Sequence, residues 1–307
     1  MKRLFFLWMV QAVAMTISAQ ISVVENKQYT FPDSIPPGNY SGITWLGDNQ
    51  YAVVSDKSAD DGFFIFEIIT DSLSGDIRSA RNLGFRSSGF KGRDNEGIAY
   101  NPHTHTLLMT GEQDNRLYEY NLNGMRTLRE ARLPEVFRHL PANLGLEALS
   151  YNPVTHTYWT CNEADTVYMQ SFDDSLMPQQ TVRYALENAV FDYTKAANYA
   201  HGIGTVAALD DGTLLVLERE LFVSTSKLGS QVNCVLAHFS PDTARKQVLA
   251  TWKTTLTLFG RSFANYEGMC LGPTLADGSR LLLVVADSQN QYAGVLRDWF
   301  KSFKVKY

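Results

Sequence analysis

The sequence predicts an all-β protein, a β-propeller of five four-stranded blades. Short runs of β-branched, aromatic and aliphatic residues are separated by turn residues roughly every eight to twelve positions, and long helical periodicity is nearly absent. A similar hairpin recurs five times along the 307 residues, at a spacing that suits one blade each. A β-sandwich, the alternative all-β fold, does not explain five similar hairpins at a near-constant interval.

Each repeat contains an apolar strand entered by a small residue or glycine, a polar turn, and a stronger apolar strand that ends in an acid. The repeats cover residues 40–57, 95–113, 146–164, 200–219 and 265–288. Their leading positions, spaced by 55, 51, 54 and 66 residues, are Ser41, Glu96, Glu147, His201 and Glu267. The long fourth and fifth units leave a sixth blade open as an alternative.

The outer strands follow each hairpin in order. For the first four blades they are predicted at 63–69 and 79–85, 116–121 and 129–133, 166–172 and 180–186, and 233–239 and 247–254. After the fifth hairpin only 303–307 reads as a strand, so that blade lacks its outermost strand. The segment 21–31 can fill the place, and we expect this N-terminal strand to close the ring.

The first 19 residues have the layout of a secretory signal peptide. Lys2 and Arg3 precede the apolar stretch 4–17, and small residues follow it before Gln20. A buried N-terminal helix is the alternative. We therefore expect export to the periplasm or the extracellular space, and a single propeller domain at 20–307. No other stretch approaches the ~20 apolar residues of a membrane span.

The net charge of the chain limits the classes of molecule that it can be expected to bind. Without residues 1–19 it has 25 basic and 32 acidic residues, a net charge of −7. This balance argues against nucleic acid, whose phosphates require clustered Lys and Arg. We expect a monomer that acts on a small molecule. Cys161, Cys234 and Cys270 are too few and too scattered for a disulfide framework, and their apolar surroundings predict buried thiols.

The acids at the ends of the hairpins are predicted to meet. In an antiparallel hairpin the start of the first strand lies beside the end of the second. The neighbours are Ser41 and Asp56, Glu96 and Glu112, Glu147 and Glu163, His201 and Glu218, and Glu267 and Asp287. If these hairpins are the innermost strands of their blades, all five pairs face one mouth of the central channel. The alternative is that each acid accepts backbone N–H bonds at a blade junction.

Carboxylates gathered at one mouth repel each other unless they are protonated, paired with cations or bound to a metal. Oxygen donors suit Ca²⁺ or Mg²⁺ better than zinc. We therefore predict a divalent cation, Ca²⁺ first, as the cofactor. Its predicted ligands are Asp56, Glu96, Glu112, Glu147, Glu163, Glu267 and Asp287.

Basic residues are interleaved with these acids. Lys57, Arg93 and Arg261 are candidates for binding an anionic substrate, with ordinary salt bridges as the alternative for Lys57 and Arg93. Arg219 points away from Glu218 if the strand continues, and it can turn to the mouth and bind an anion bidentately if the strand ends at Glu218. His201, Glu218 and Arg219 form the predicted catalytic set, with His201 protonating the leaving oxygen.

Five segments together resemble the signatures of a known family. They are "YSGITWLGDNQYAVVSD", "RDNEGIAYNPHTHTLLMTGE", "NLGLEALSYNP", "GTLLVLERE" and "NYEGMCLGPTLADGSRLLLVVAD". In this order, from Asn39 to Asp287, they look like the phytase-like domain family, labelled for the esterase-like activity of phytase. The resemblance implies a secreted or periplasmic propeller with phosphoesterase activity, and it supplies no catalytic set. The third segment departs from the others, with Ala148 where they have glycine after the acid.

Three functions follow as hypotheses. The first is metal-assisted hydrolysis of phytate or a similar small organic phosphate, in which the cation lets an acidic protein accept a polyanion. The second is hydrolysis of a carboxylic ester or a lactone around a central divalent ion. The third is a non-catalytic propeller of the cell envelope that binds a peptide or a glycan at the same mouth.

Overall fold

Five antiparallel sheets of four strands each form a β-propeller. The computed structural model describes residues 21–138, 140, 145–163, 166–291 and 294–307, and the predicted signal peptide lies outside them. In chain order the strands are β1 (Ser22–Tyr29), β2 (Tyr40–Gly47), β3 (Gln50–Ser55), β4 (Asp60–Thr70), β5 (Ile77–Lys91), β6 (Ile98–Asn101), β7 (Thr106–Gly111), β8 (Arg116–Asn121), β9 (Arg126–Glu130), β10 (Leu146–Asn152), β11 (Thr157–Asn162), β12 (Val167–Asp173), β13 (Pro178–Tyr184), β14 (Asn198–Ala208), β15 (Leu214–Val223), β16 (Gln231–Ser240), β17 (Arg245–Thr255), β18 (Asn265–Thr274), β19 (Arg280–Asp287) and β20 (Phe300–Lys306). One helical turn, α1 (Glu135–Arg138), and one 3₁₀ turn (Tyr193–Lys195) lie between strands.

The sheets confirm the five predicted blades. Blades 1 to 4 have the strand orders β2-β3-β4-β5, β6-β7-β8-β9, β10-β11-β12-β13 and β14-β15-β16-β17. The innermost strands β2, β6, β10, β14 and β18 contact one another around the ring. All described strands belong to these five sheets, so the described residues form no sixth blade.

The N-terminal strand closes the ring, as predicted. Blade 5 has the order β18-β19-β20-β1, with β1 outermost. Its register runs antiparallel from Ser22 opposite Lys306 to Tyr29 opposite Phe300. The first and last of the described strands are therefore hydrogen-bonded in one sheet, which joins the two ends of the propeller.

One outer strand lies earlier than predicted. The last strand of blade 2 was expected at 129–133 and is found at Arg126–Glu130. A tight turn explains the difference, because the N–H of Asn121 donates to the carbonyl of Met125. Gly124 has a φ of +94°, which lets the chain reverse within these few residues. Because no side chain of this strand is buried, the hydrophobicity of the sequence does not mark where the strand begins.

The core lies between the blades, where apolar side chains of facing sheets pack together. Its largest fully buried members include Tyr40, Phe66, Phe172 and Phe303. Cys161, Cys234 and Cys270 are free and buried in these layers, as predicted. No helix among the described residues has the length and apolar character needed to cross a membrane.

Glycine lets the innermost strands approach each other closely. A Cβ on Gly42 would lie 2.7 Å from the carbonyl oxygen of Glu96, and a Cβ on Gly97 would lie 2.7 Å from the backbone nitrogen of Leu149. These positions tolerate no larger side chain without movement of backbone. The close approach brings the residues just before each glycine toward the propeller axis.

Asn-Pro turns at the opposite face tie adjacent blades. The side-chain oxygen of Asn152 accepts the N–H groups of Val154 and Thr155, and its nitrogen donates to the carbonyl of Leu209 in blade 4 at 2.6 Å. Asn101 makes the same turn in blade 2 and donates to the hydroxyl of Tyr158 in blade 3.

We expect Asn152→Ala to lower the free energy of unfolding by about 2 kcal/mol, because it removes a buried cross-blade hydrogen bond and the acceptor of two turn N–H groups. Asn121→Ala is the control, since Asn121 makes a similar turn but is exposed. Urea unfolding monitored by circular dichroism gives both values. Equal losses in the two variants would contradict a role for the bond between blades.

Candidate functional site

The innermost hairpins deliver two residues each to one mouth of the channel. In blades 1, 3, 4 and 5 the register skips one residue of the inner strand, a β-bulge that redirects that side chain. The same position in blade 2 lies just before Gly97, whose carbonyl accepts the N–H of Thr110. These positions, here called the leading column, are Ser41, Glu96, Glu147, Gly204 and Glu267.

A second column comes from the ends of the neighbouring strands. The N–H of Asp56 donates to the carbonyl of Asn39, and the N–H of Glu112 donates to the carbonyl of Asp94, each two residues before the leading position. The matching partners in the other blades are fixed by strand register. This trailing column consists of Asp56, Glu112, Glu163, Arg219 and Asp287.

The two columns place seven carboxyl groups and one guanidinium around the axis. We call these eight side chains the axial cluster: Asp56, Glu96, Glu112, Glu147, Glu163, Arg219, Glu267 and Asp287. They interact electrostatically across blades: besides burial, the negative charges of four other acids raise the pKa of Glu96, and these are Glu147, Asp56, Glu267 and Glu112. All members except the half-buried Glu112 are at most 9% exposed. The predicted gathering of hairpin acids at one mouth is therefore what the fold produces.

Arg219 is the internal counter-ion of the cluster. Its Nη2 lies 3.0 Å from Oε1 of Glu163 and 2.9 Å from Oε1 of Glu267. Its Nε is buried and has no hydrogen-bond partner among the described residues. Burial alone would lower the pKa of Arg219, but Glu267, Glu163 and Glu147 raise it above its ordinary value. One permanent positive charge thus faces a much larger number of acids.

Glu96 and Glu147 are the least compensated acids. They are 7% and 6% exposed, and no donor of the described residues forms a hydrogen bond or ion pair with either carboxyl group. Burial raises the pKa of both well above the ordinary value, and the neighbouring carboxylates add to the shift, which Arg219 opposes at Glu147. A carboxylate buried to this degree without a partner is unfavourable, and a proton or a cation relieves the cost.

The remaining acids are partly satisfied. Oδ2 of Asp56 lies 2.5 Å from Nζ of the exposed Lys57, but its Oδ1 is buried without a partner among the described residues. Glu112 accepts the backbone N–H of Gly145. Oδ1 of Asp287 accepts the N–H of Gln289 at 2.6 Å. Burial is the main cause that raises the pKa of Asp287, to about 6.

The cluster predicts an unusual dependence of stability on pH. Burial, opposed by Arg219 and reinforced by Asp287 and Glu163, raises the pKa of Glu267 to about 8. A carboxyl group with a raised folded-state pKa binds protons more tightly in the native protein. Its stabilisation is complete below its unfolded pKa of about 4.3 and is lost as the pH rises through the folded value.

We therefore expect the free energy of unfolding, measured in chelator, to fall by about 2–4 kcal/mol between pH 5 and pH 9. Urea titrations at several pH values give the profile. Glu267→Gln should make the profile less steep, whereas Glu67→Gln on the surface should leave it unchanged, because Glu67 only pairs with the exposed Arg81. A free energy of unfolding that rises between pH 5 and pH 9 would contradict the raised pKa values of the buried acids.

Blade 4 departs from the predicted alignment. His201 was aligned with the leading acids, but it is half-buried, pairs in register with Glu220 and lies three residues before Gly204, which holds the leading position. The structure therefore does not bring His201 into the columns. The misalignment arises because "HG" at 201–202 looks like the "EG" of other repeats, while β14 starts earlier than its counterparts.

Glu218 is also not part of the mouth. The strand β15 continues to Val223, so Glu218 and Arg219 point to opposite sides, and it is Arg219 that faces the axis. Glu218 accepts hydrogen bonds from the hydroxyl of Tyr184 at 2.6 Å and the N–H of Glu187, and it pairs with Lys246. The predicted pairing of Glu218 with a mouth residue is wrong, since its donors lie between blades 3 and 4.

Two predicted anion-binding residues lie elsewhere. Arg93 is 6% exposed and makes a bidentate ion pair with Asp114, and its guanidinium also donates to the carbonyl of Arg116. These contacts occupy it within blade 2. Arg261 is exposed on the loop between β17 and β18, where it forms an isolated bridge with Leu256. Of the predicted basic residues, Lys57 and Arg219 contact the axial cluster directly.

The donor chemistry of the cluster fits a hard cation. Carboxyl groups without a bonded partner at Glu96 and Glu147 and an unpartnered oxygen at Asp56 are the kind of ligands that Ca²⁺ and Mg²⁺ prefer. Among the described residues, no three acidic, histidine or cysteine side chains converge closely enough to form a metal site as they stand.

Fold and site together define a five-bladed β-propeller with an acidic axial site, a propeller enzyme or binding protein. The model of the phytase-like family, described as "Esterase-like activity of phytase", matches residues 35–289. The chain belongs to this family. A search of curated proteins finds no match.

Solved structures with a similar fold have low sequence identity. They include hydrazine synthase of Kuenenia stuttgartiensis (13% identity, TM-score 0.41), of whose chain the present protein spans 57% with 82% of its own length. A streptogramin B lyase structure has 13% identity and a TM-score of 0.41, with 93% of this chain and 98% of the other covered. A protein of unknown function from Bacteroides thetaiotaomicron has 11% identity and a TM-score of 0.43, with 86% and 58% covered. Similarity at this level says nothing about what this chain binds.

Proposed function

We propose that the axial cluster is the active site of a metal-assisted phosphoesterase that hydrolyses a small organic phosphate. The observation that carries the proposal is a pair of buried carboxyl groups on adjacent blades, Glu96 and Glu147, which have no hydrogen-bond or ion-pair partner among the described residues. Buried acids with a structural role accept hydrogen bonds from nearby donors, as Glu218 and Glu220 do in blade 4. Buried acids without donors at a converging mouth are typical of a site that binds a ligand.

A divalent cation, Ca²⁺ first, would be held by Glu96, Glu147 and Asp56, with Glu112 and Asp287 completing the set. When bound, such an ion neutralises phosphate charge and lowers the pKa of water. The family supports this reading, because its description names the esterase-like activity of phytase. The remaining roles belong to residues of the chain itself.

Two residues can serve the phosphate ester directly. Arg219 lies among the acids and would stabilise negative charge that develops on the transferred group, with Glu163 and Glu267 fixing its orientation. Glu267 has a pKa raised to about 8 by burial, so it holds a proton at neutral pH. A protonated carboxyl group can donate this proton to the leaving oxygen, the role first assigned to His201.

Hydrolysis of a carboxylic ester or a lactone is the second candidate. It is favoured by the charge of the mouth, where the axial acids far outnumber Arg219 and Lys57. An uncharged ester can enter this field without electrostatic repulsion, whereas a phosphate requires the cation. A non-catalytic binding role uses the same residues and is separated from both candidates by the assay below.

The test combines metal content with a substrate panel. The purified protein is assayed with phytate, 4-nitrophenyl phosphate, 4-nitrophenyl butyrate and a lactone, with and without chelator, and its calcium is measured by mass spectrometry. We expect bound calcium and chelator-sensitive hydrolysis of phosphates, both lost in the double variant Glu96→Ala with Glu147→Ala. Turnover of the ester or lactone alone supports the second candidate. Bound calcium without any turnover supports a binding protein.

We also propose that the protein acts outside the cytoplasm, because its first 19 residues have the pattern of an export signal, and that it is a monomer. Mass spectrometry of the N-terminus after secretion, together with size-exclusion chromatography coupled to light scattering, tests both statements. An intact Met1 in the exported fraction would contradict cleavage after residue 19.

A further inference from the structure

A cavity opens between blades 4 and 5, beside the axial cluster. Its volume is about 360 Å³, and it lies on the same face as the mouth, between the ends of β15 and β17 and the described residues Gln289, Val295 and Leu296. Its apolar lining residues include Leu221, Val223, Leu256, Phe263, Val295 and Leu296, and polar residues such as Asn198, Thr225 and Lys227 complete the wall. A cavity of this size and character is at the lower end of the range, roughly 300–1,000 Å³, that small organic ligands occupy.

Asn265 connects this cavity with the axial cluster. It lines the cavity, is 3% exposed, and its side-chain nitrogen donates to Oε1 of Glu267 at 2.7 Å. Its side-chain oxygen is buried and has no partner among the described residues. Gln289, which also lines the cavity, donates its N–H to Asp287. Asn265 therefore forms part of the wall between the cavity and the cluster, and its unpartnered oxygen can accept a hydrogen bond from a molecule in the cavity.

The rim of the cavity carries exposed apolar side chains. Leu228 is 46% exposed on the loop after β15, and Leu258 and Phe259 are 73% and fully exposed on the loop after β17. The two loops are joined by hydrogen bonds between Gly229 and Leu256 and between Leu256 and Ser230. Large apolar residues grouped in solvent beside an apolar cavity are typical of a binding surface.

We infer that this cavity binds an apolar organic group of about the size of one or two aromatic rings, which belongs to an ester whose head group reaches the axial cluster. The inference rests on the proposed function and specifies its substrate as an aryl or alkyl monoester. An inositol polyphosphate has no apolar part to place against Leu221, Leu256 and Phe263. Burial of an apolar group against these walls supplies binding free energy without adding charge to the acidic mouth.

The test measures binding of the organic group apart from the reaction. The probe is 1-naphthol, titrated into the full-length mature protein and followed by its fluorescence. Thr225→Trp and Val295→Phe place bulk in the cavity from an exposed and a half-buried position, so the fold should persist. The control is Val154→Trp, an exposed position on the β10–β11 turn at the opposite face.

We expect saturable binding of 1-naphthol that Thr225→Trp and Val295→Phe weaken by about tenfold each and that Val154→Trp does not change. The same two variants should raise KM for 1-naphthyl phosphate and leave the kinetics for methyl phosphate unchanged. No saturable binding, or equal binding by all variants, would overturn the inference. Binding that the two variants weaken, without turnover of any ester, upholds the cavity and contradicts the proposed hydrolase.

Discussion

Arg219→Met should lower the free energy of unfolding by about 3–5 kcal/mol at pH 8 in the absence of divalent cations. The guanidinium is 7% exposed and lies at hydrogen-bonding distance from Glu163 and Glu267. Its removal leaves a ring of buried carboxyl groups with no permanent positive charge among them. The loss should shrink at pH 5, because the acids with raised pKa, above all Glu267, are then protonated in the folded protein.

Two comparisons make this expectation specific. Arg81→Gln removes an exposed ion pair with Glu67 and should change stability by less than about 1 kcal/mol. Added Ca²⁺ should restore part of the stability of Arg219→Met, since a cation can replace the lost charge. Urea unfolding at pH 5 and pH 8, with and without Ca²⁺, gives the four values for each variant. A loss that is equal at both pH values would show that Arg219 stabilises the fold through packing and not through charge.

The sequence was sufficient to predict the architecture and much of the site. Alternation of short apolar strands with turns predicted the blades, and the missing outer strand of blade 5 predicted the role of β1. The proximity of Glu147 to Glu163 follows from hairpin geometry alone, because the start of one strand of an antiparallel pair must lie beside the end of the other. This reasoning needs no side-chain detail, and it placed all seven predicted cation ligands in the two columns.

Blade 4 was misaligned because its inner strand contains three glycine or histidine positions that resemble the start of a repeat. The register of blade 4 becomes clear when its hairpin is aligned with that of blade 5 on the second strand of each, β15 and β19. In β19 the residue before Asp287 is Ala286, opposite Tyr266, and in β15 the equivalent residue is Glu218, opposite Ile203. The trailing position of blade 4 is then Arg219, and the corrected leading position is Gly204.

Side-chain pairing could not be predicted from the sequence. Arg93 and Glu218 looked like members of the mouth, but each is satisfied by residues distant in sequence, such as Asp114 and Tyr184. The sequence also contains no sign that Glu96 and Glu147 lack donors. That property depends on every side chain around the axis, and it is what distinguishes these two acids from structural ones.

The double variant Glu96→Gln with Glu147→Gln should separate function from stability. We expect kcat/KM for the chelator-sensitive reaction to fall by about 10³-fold or more, because a neutral amide is a much weaker ligand for a divalent cation than a carboxylate. Without cations at pH 8, the same variant should be more stable than the unsubstituted protein by about 2 kcal/mol, since it no longer buries two unpaired charges. Terbium luminescence should show that the variant has lost its cation site.

Glu119→Gln is the matched control, because Glu119 is 3% exposed but accepts hydrogen bonds from Thr106 and Thr127 and pairs with Arg129. Its substitution should reduce stability and leave kcat/KM and terbium binding unchanged. Opposite signs of the stability change at two kinds of buried glutamate follow directly from the presence or absence of donors. A double variant that loses stability and keeps its activity would show that Glu96 and Glu147 support the blades and take no part in binding.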